Sequence, residues 1–252
     1  RNCTSLTNVT IPDSVTEIGR YAFAGCTSLT SVTIGNGVTE IGNYAFRYCD
    51  SMESITIPDG VISIGYGAFY ECSSLTSITI PYSVTEIGNE AFYNCKSLTN
   101  FQGKFASNDG RCLIIKGVLK FFARVGLTTY VIPYSVTSIG DMAFSGCRSL
   151  TSVTIPDSVT EIKYTAFSGC ASLTSVTIPD GVTSIGNQAF AYCSSLKEVY
   201  CKPTTPPTGG SNMFYDHVSD LKIYVPRASV DAYKTAYYWS EYADAIVGYD
   251  FE

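Results

Sequence analysis

Cysteine recurs at a fixed step of 23 in this chain, at Cys3, Cys26, Cys49, Cys72 and Cys95, and again at Cys147, Cys170 and Cys193. The gap between the two series, from Cys95 to Cys147, is 52, or two repeats plus six residues. Other positions keep the same step. Leu6, Leu29, Leu75, Leu98, Leu150, Leu173 and Leu196 each stand three residues after a Cys, with Met52 in that place once. Apolar-Thr-apolar triplets follow, from Val9-Thr10-Ile11 to Val176-Thr177-Ile178. A unit this short cannot bury its own apolar faces, so the repeats must stack, and 252 residues read as one solenoid rather than two ordinary domains.

The triplet is a short strand with one buried face. Pro12, Pro58, Pro81, Pro156 and Pro179 end it, because proline has no N–H to give a ladder. A turn dipeptide follows, then a second apolar pair (Val15 and Ile18, Val38 and Ile41), a Gly, and the pair Ala22-Phe23 or its equivalent. The run to the next Cys has room for one helical or 3-10 turn. Stacking would align Leu, Val/Ile, Phe and Cys in internal ladders. Strand positions at Val9, Val32, Ile55, Ile78, Phe101, Tyr130, Val153, Val176, Val199 and Ile223 predict a parallel sheet of ten rungs, roughly 45 Å long.

Residues 1–100 and 132–200 are regular; 101–131 and 201–252 depart from the period. Within 101–131, Leu113-Ile114-Ile115, Lys116-Gly117 and Val118 to Phe122 predict a β-hairpin. Lys163 stands where other repeats have Gly, so that site does not demand a positive φ. Beyond a loop with Pro203, Pro206 and Pro207, Phe214 and His217 take the Phe and Cys places of a degenerate last repeat. Residues 228–239 predict a helix, started at Ser229, that covers the open end of the final rung. The chain opens at Arg1 partway through a repeat, and reads as a piece of a longer one.

The pattern C-x-x-L-x-x-[VI]-x-I-P-x-x-V-x-x-I-G-x-x-A-F resembles the BspA-like leucine-rich repeat family over most of the chain. The stretch from Leu221 to Gly248-Tyr249 is similar to the endings of such proteins in gut Bacteroides-type bacteria. The resemblance implies an α/β repeat: a right-handed leucine-rich-repeat solenoid. It would have a parallel sheet on one face, short turns or 3-10 segments on the other, one hairpin insertion and a C-terminal capping helix. It further implies a secreted or cell-surface bacterial protein, lipid-anchored through a segment outside this sequence. Adhesion to host matrix proteins, other bacteria or host receptors would be its work.

A net charge of −6 gives no electrostatic case for nucleic acid, and no apolar run approaches the ~20 residues of a membrane span. The cysteines align along the solenoid axis rather than converging as zinc ligands do. A rung step near 5 Å lies inside the range of a disulfide, but stacked Cβ vectors run parallel, so the reading is a ladder of free thiols. Cys201 reads as core; Cys112 has the weakest case for burial. His217, alone of its kind, reads as a packed structural residue. No nucleophile elbow or phosphate loop is present, and neither an enzyme nor a cofactor is expected.

Two features point to binding. Lys104, Arg111, Lys116, Lys120 and Arg124 face only Asp109 in their stretch and make the hairpin region basic. Outward strand positions Thr33, Thr56, Thr79, Thr154 and Thr177 form a field of hydroxyls that Gln102, Val131, Tyr200 and Tyr224 interrupt. Threonine is also simply a strand former that tolerates water. Tyr48, Tyr70, Tyr93 and Tyr192 read as one row between the Phe and Cys ladders, and Tyr21, Tyr44 and Tyr164 as another; stacked rings that stiffen the coil explain these without a ligand. The leading expectation is a non-catalytic adhesion protein that meets a protein partner through the sheet face and the basic hairpin. The alternatives are a polysaccharide held by the Ser/Thr face and tyrosines, and a spacer presenting another domain.

Overall fold

The computed structural model describes residues 1–251. They form two compact units, one of Arg1–Leu113 with Phe121–Gly126, the other of Ile114–Lys120 with Leu127 onward. In the first, strands Asn8–Ile11 and Ser31–Ile34 pair in parallel with Val9 opposite Val32, and Ser77–Ile80 pairs with Asn100–Gly103, Ile78 opposite Phe101. The expected rung at Ile55 is not hydrogen-bonded as a strand. Ile55 and Ile57 are nevertheless buried and Thr56 exposed, so side-chain alternation continues where the ladder lapses. In the second unit Thr129–Val131 pairs with Ser152–Thr154, and Ser175–Ile178, Glu198–Cys201, Lys222–Pro226 and Ile246–Tyr249 form a four-stranded parallel sheet.

That last strand corrects the ten-rung count. Ile223 is not the end of the sheet: Ile246 lies opposite it and Val247 opposite Tyr224. The helix is Val230–Thr235, shorter than the 228–239 span expected, because Ala236 is already extended. Ser229 makes no capping bond; its hydroxyl donates to the Thr204 carbonyl at 2.7 Å. The helix belongs to the crossover between two parallel strands, Lys222–Pro226 and Ile246–Tyr249. Tyr233 and Trp239 fasten this segment to the proline loop, donating to the carbonyls of Pro203 and Pro207 at 2.7 Å each.

A second ladder runs through each unit, built from two-residue strands at the Val-x-x-Ile pair: Glu17–Ile18, Glu40–Ile41, Ser63–Ile64 and Glu86–Ile87 in the first. In the second, Ser138–Ile139, Glu161–Ile162, Ser184–Ile185 and Thr208–Gly209 pair in turn. The hairpin joins this system: Val118 and Leu119 pair with Ser138 and Ile139, so an inserted strand stands in for a coil's short strand. Its turn is Lys116-Gly117, with φ of +51° and +78°, the left-handed pair that a two-residue hairpin needs.

The run from Gly to Cys is not the helical or 3-10 turn expected. Two residues per coil, one before Ala and one before Cys, hold positive φ: Tyr44 and Tyr48, then Gly67 and Glu71. N–H groups alternate between their own turn and the next coil. Ala45 N–H donates to Gly42 O at 3.2 Å, whereas Phe46 N–H reaches Ala68 O at 2.8 Å. A helix would direct every N–H inward along its own axis; this alternation instead sews each turn to its neighbour.

Phe23, Phe46, Phe69 and Phe92 stack at 5.4–5.5 Å between centroids, and Phe144, Phe167, Phe190 and Phe214 at 4.9–5.6 Å. The cysteines line the core beside them. None of the ten forms a disulfide, nine of them are buried, and Cys112, whose burial was least secure from sequence, is fully enclosed. Five of the ladder thiols, those of Cys49, Cys72, Cys95, Cys170 and Cys193, donate to the carbonyl of a Phe one coil back, at 3.1–3.3 Å. A small, weakly polar donor meets one buried acceptor with little desolvation.

Candidate binding face

Three rows of threonine run along the coils, and they differ in what their hydroxyls do. Thr30, Thr99 and Thr151 donate to the carbonyls of Thr7, Thr76 and Thr128 in the coil before, at 2.9–3.0 Å. Thr39, Thr160 and Thr183 do the same to Thr16, Thr137 and Thr160, at 3.1–3.2 Å. Those hydroxyls knit the structure. The third row, at the outward strand positions, is exposed. Thr79 there donates to Gln102 Oε1 at 3.3 Å, while Thr33, Thr56, Thr154 and Thr177 have no side-chain hydrogen bond among the described residues.

In the second unit this row changes character. From Val131 (69% exposed) it passes through Thr154 and Thr177 to Tyr200, Tyr224 and Val247, the last three directly opposite one another in register. Tyr200 and Tyr224 stack with centroids 4.9 Å apart and planes 18° from parallel. Tyr249 stands across both, at 5.7 and 5.4 Å and steep angles, and Phe251 leans on Tyr249 at 4.9 Å. The Tyr200 hydroxyl donates to Glu198 Oε2 at 3.0 Å. Partial burial, then this bond to a carboxylate, push its pKa up to about 12. Tyr249 and Val247 went unrecognised in the sequence because the final rung carries neither the strand Thr nor the Cys of the regular repeats.

The basic residues are placed differently from one another. Lys104 Nζ donates to Val84 O at 2.6 Å, Arg111 Nη1 to Val125 O at 2.9 Å and Ala123 O at 3.3 Å, and Arg124 Nη2 to Asn94 Oδ1 at 2.9 Å. These three lie in the first unit and bind its own chain. Lys116 is exposed at the hairpin turn and Lys120 is half-buried; both belong to the second unit. Spacing in a sequence cannot show which cations find carbonyls.

Two further expectations are corrected. His217 is exposed, not packed: its Nδ1 lies 2.7 Å from Val218 O and its ring 6.0 Å from Tyr242. The tyrosines at the coil edge do not share one row. Tyr48 and Tyr192 directly precede a Cys and take its left-handed φ, whereas Tyr70 and Tyr93 come one residue earlier, where the chain is right-handed. Likewise Tyr21 and Tyr44 are left-handed before Ala, and Tyr164 is not. Arg47 lies against three rings, 4.4 Å from Tyr48, 5.0 Å from Tyr70 and 5.2 Å from Tyr44, with Nη2 donating to Tyr48 Oη at 2.7 Å. No group of three or more metal-ligating side chains occurs among the described residues.

Stacked coils, paired parallel ladders and an exposed strand face define a leucine-rich-repeat β-solenoid. The chain belongs to the BspA-type leucine-rich repeat family, whose model matches residues 1–108 and 119–242 in six copies. No match was found among curated proteins. Among solved structures, a leucine-rich repeat protein from Eubacterium ventriosum is similar with a TM-score of 0.71 and 27% identity, over 93% of this chain and 66% of that one. A leucine-rich cell surface protein from Faecalibacterium prausnitzii gives 0.61 and 27%, over 98% and 73%. The pneumococcal vaccine antigen PcpA, at 19% identity and a TM-score of 0.61 over 97% and 80%, shares the fold. This chain thus spans about two thirds to three quarters of its two more similar neighbours.

Proposed function

We propose that this chain is the non-catalytic binding region of an extracellular or cell-surface adhesion protein, and that it meets a protein partner through the outward face of its second-unit sheet. The observation that carries this reading is the cluster of Tyr200, Tyr224 and Tyr249 beside exposed Val247. Tyrosines are favoured anchors of protein interfaces, giving large contact for few lost rotamers, and here the rings are already fixed against each other. A surface location rests on family membership and on likeness to the Faecalibacterium prausnitzii surface protein. No helix among the described residues is long and apolar enough to cross a membrane. A non-catalytic role accords with the chemistry of the nucleophiles: the thiols other than Cys3 are buried and Tyr200 holds its proton to high pH.

Lys116 and Lys120 stay in the reading as steering charges at most, since Lys104, Arg111 and Arg124 serve the fold. The test is label-free binding to immobilised extracellular-matrix and bacterial surface proteins at low and physiological salt. The double variant Tyr224→Ala/Tyr249→Ala is expected to weaken a hit by tenfold or more, about 1.4 kcal/mol or above. Lys116→Glu/Lys120→Glu should slow association chiefly at low salt. A protein hit unchanged by the tyrosine variant would remove this face from the account.

A further inference from the structure

The stack of Tyr200 on Tyr224 leaves an asymmetry. One face of Tyr200 is covered by Tyr224, and Tyr249 lies alongside the pair, at similar distances from both. The other face of Tyr200 is turned toward the preceding rung, where its register partner is the much smaller Thr177. The ring is therefore a wall beside a low floor. That floor carries four hydroxyls, on Ser152 and Thr154 in one strand and on Ser175 and Thr177 in the following one, which lies beside it without ladder pairing. None of the four makes a side-chain hydrogen bond among the described residues. Exposed Val131 stands opposite Thr154 on the far side. Neighbouring rungs lie about 4.8 Å apart and successive outward residues about 6.6 Å apart along a strand, so the floor is the size of one hexose ring with its substituents.

The geometry points to a saccharide subsite here: a neutral pyranose unit stacked by its C–H face on Tyr200, with its hydroxyls over Ser152, Thr154, Ser175 and Thr177. Charge decides against other occupants. None of the four floor residues is charged, the nearby Glu198 accepts from the Tyr200 hydroxyl and stands opposite Lys222 in the following strand, and the chain is net negative by six. A sulfated or uronic glycan would be repelled, whereas a neutral sugar brings donors for hydroxyl acceptors and an apolar face for the ring. The first unit provides an internal comparison. Thr33 and Thr56 present the same outward hydroxyls, but no aromatic side chain stands in their row from Thr10 to Gln102.

This subsite goes beyond protein adhesion and does not depend on it, because it uses the side of Tyr200 away from Tyr224 and Tyr249. The whole chain would be titrated with neutral and anionic oligosaccharides, read by saturation-transfer NMR on the sugar protons and by calorimetry. Saturable binding of at least one neutral glycan is expected, weakened tenfold or more by Thr177→Glu, which fills the floor, and by Tyr200→Ala. Tyr200→Phe keeps the ring face and should bind within about threefold of the parent, as should Thr33→Glu in the first unit. Circular dichroism would confirm that Thr177→Glu, an exposed substitution, stays folded. Silence toward every neutral glycan, a response confined to anionic glycans, or binding indifferent to Thr177→Glu would each overturn the proposal.

Discussion

Cys72 encloses its thiol completely and lends its proton to Phe46 O, 3.1 Å away in the coil before. Burial raises its pKa well above the ordinary thiol value of 9.0, and raises those of Cys49, Cys95 and Cys201 to about 12. These groups stay protonated when folded but ionise near pH 9 when unfolded. Between those values the unfolded state binds fewer protons, so stability is intact below pH 9 and falls as pH rises toward 12. Each such thiol contributes a slope of about 1.4 kcal/mol per pH unit in that window. Urea midpoints should therefore hold from pH 7 to 8.5 and drop steeply above 9.5; a flat profile to pH 11 would contradict the burial. At pH 8 a disulfide-exchange reagent should titrate one thiol, Cys3, in the folded chain and all ten in urea. Cys72→Ala removes one of the two donors to Phe46 O, the other being the Cys49 N–H at 3.2 Å, and leaves a small void, so it is expected to cost about 1–2 kcal/mol by chemical denaturation.

At the scale of elements, the repeat glycines show why the coils stack so tightly. Their φ is not left-handed, as Lys163 in the same place had implied, yet a Cβ at Gly88 would lie 2.4 Å from the Tyr66 backbone nitrogen and one at Gly186 2.7 Å from the Lys163 carbonyl carbon. Close approach to the preceding coil, rather than backbone freedom, requires glycine there. Gly88→Ala should destabilise by about 1–3 kcal/mol, whereas Gly19→Ala, which meets nothing within 4 Å, should stay within about 0.5 kcal/mol. Equal effects in thermal melts would refute the packing argument. The front strands were legible because Val-Thr-Ile alternation writes a buried face directly into the sequence. The two-residue strands were not, since two residues cannot display a period of two. Neither were the coil turns: Gly25, Gly67, Gly146 and Gly169 hold left-handed positions, but Tyr44, Glu71 and Met142 hold equivalent ones, so the glycine signal is only intermittent.

For the molecule as a whole, the stack of coils followed from the 23-residue period, but the binding face was only half visible. The outward hydroxyls and the breaks at Tyr200 and Tyr224 could be read from register. What made them a cluster could not: Tyr249 arrives on a rung that has lost the repeat signature, and ring stacking is a matter of rotamer. The hairpin cations misled in the opposite direction. Five positive charges in one stretch suggested a free basic patch, yet Arg111 turns to the carbonyls of Ala123 and Val125 and Lys104 to that of Val84.

The most direct test of the account is a hydrogen-exchange footprint of the chain with and without whichever surface protein it captures. The backbone amides at 175–178, 198–201, 222–226 and 246–249 should gain protection on binding, with the first unit unchanged. Protection confined to the coil edge around Tyr44, Tyr48 and Tyr70, with the strand face exchanging as before, would contradict it.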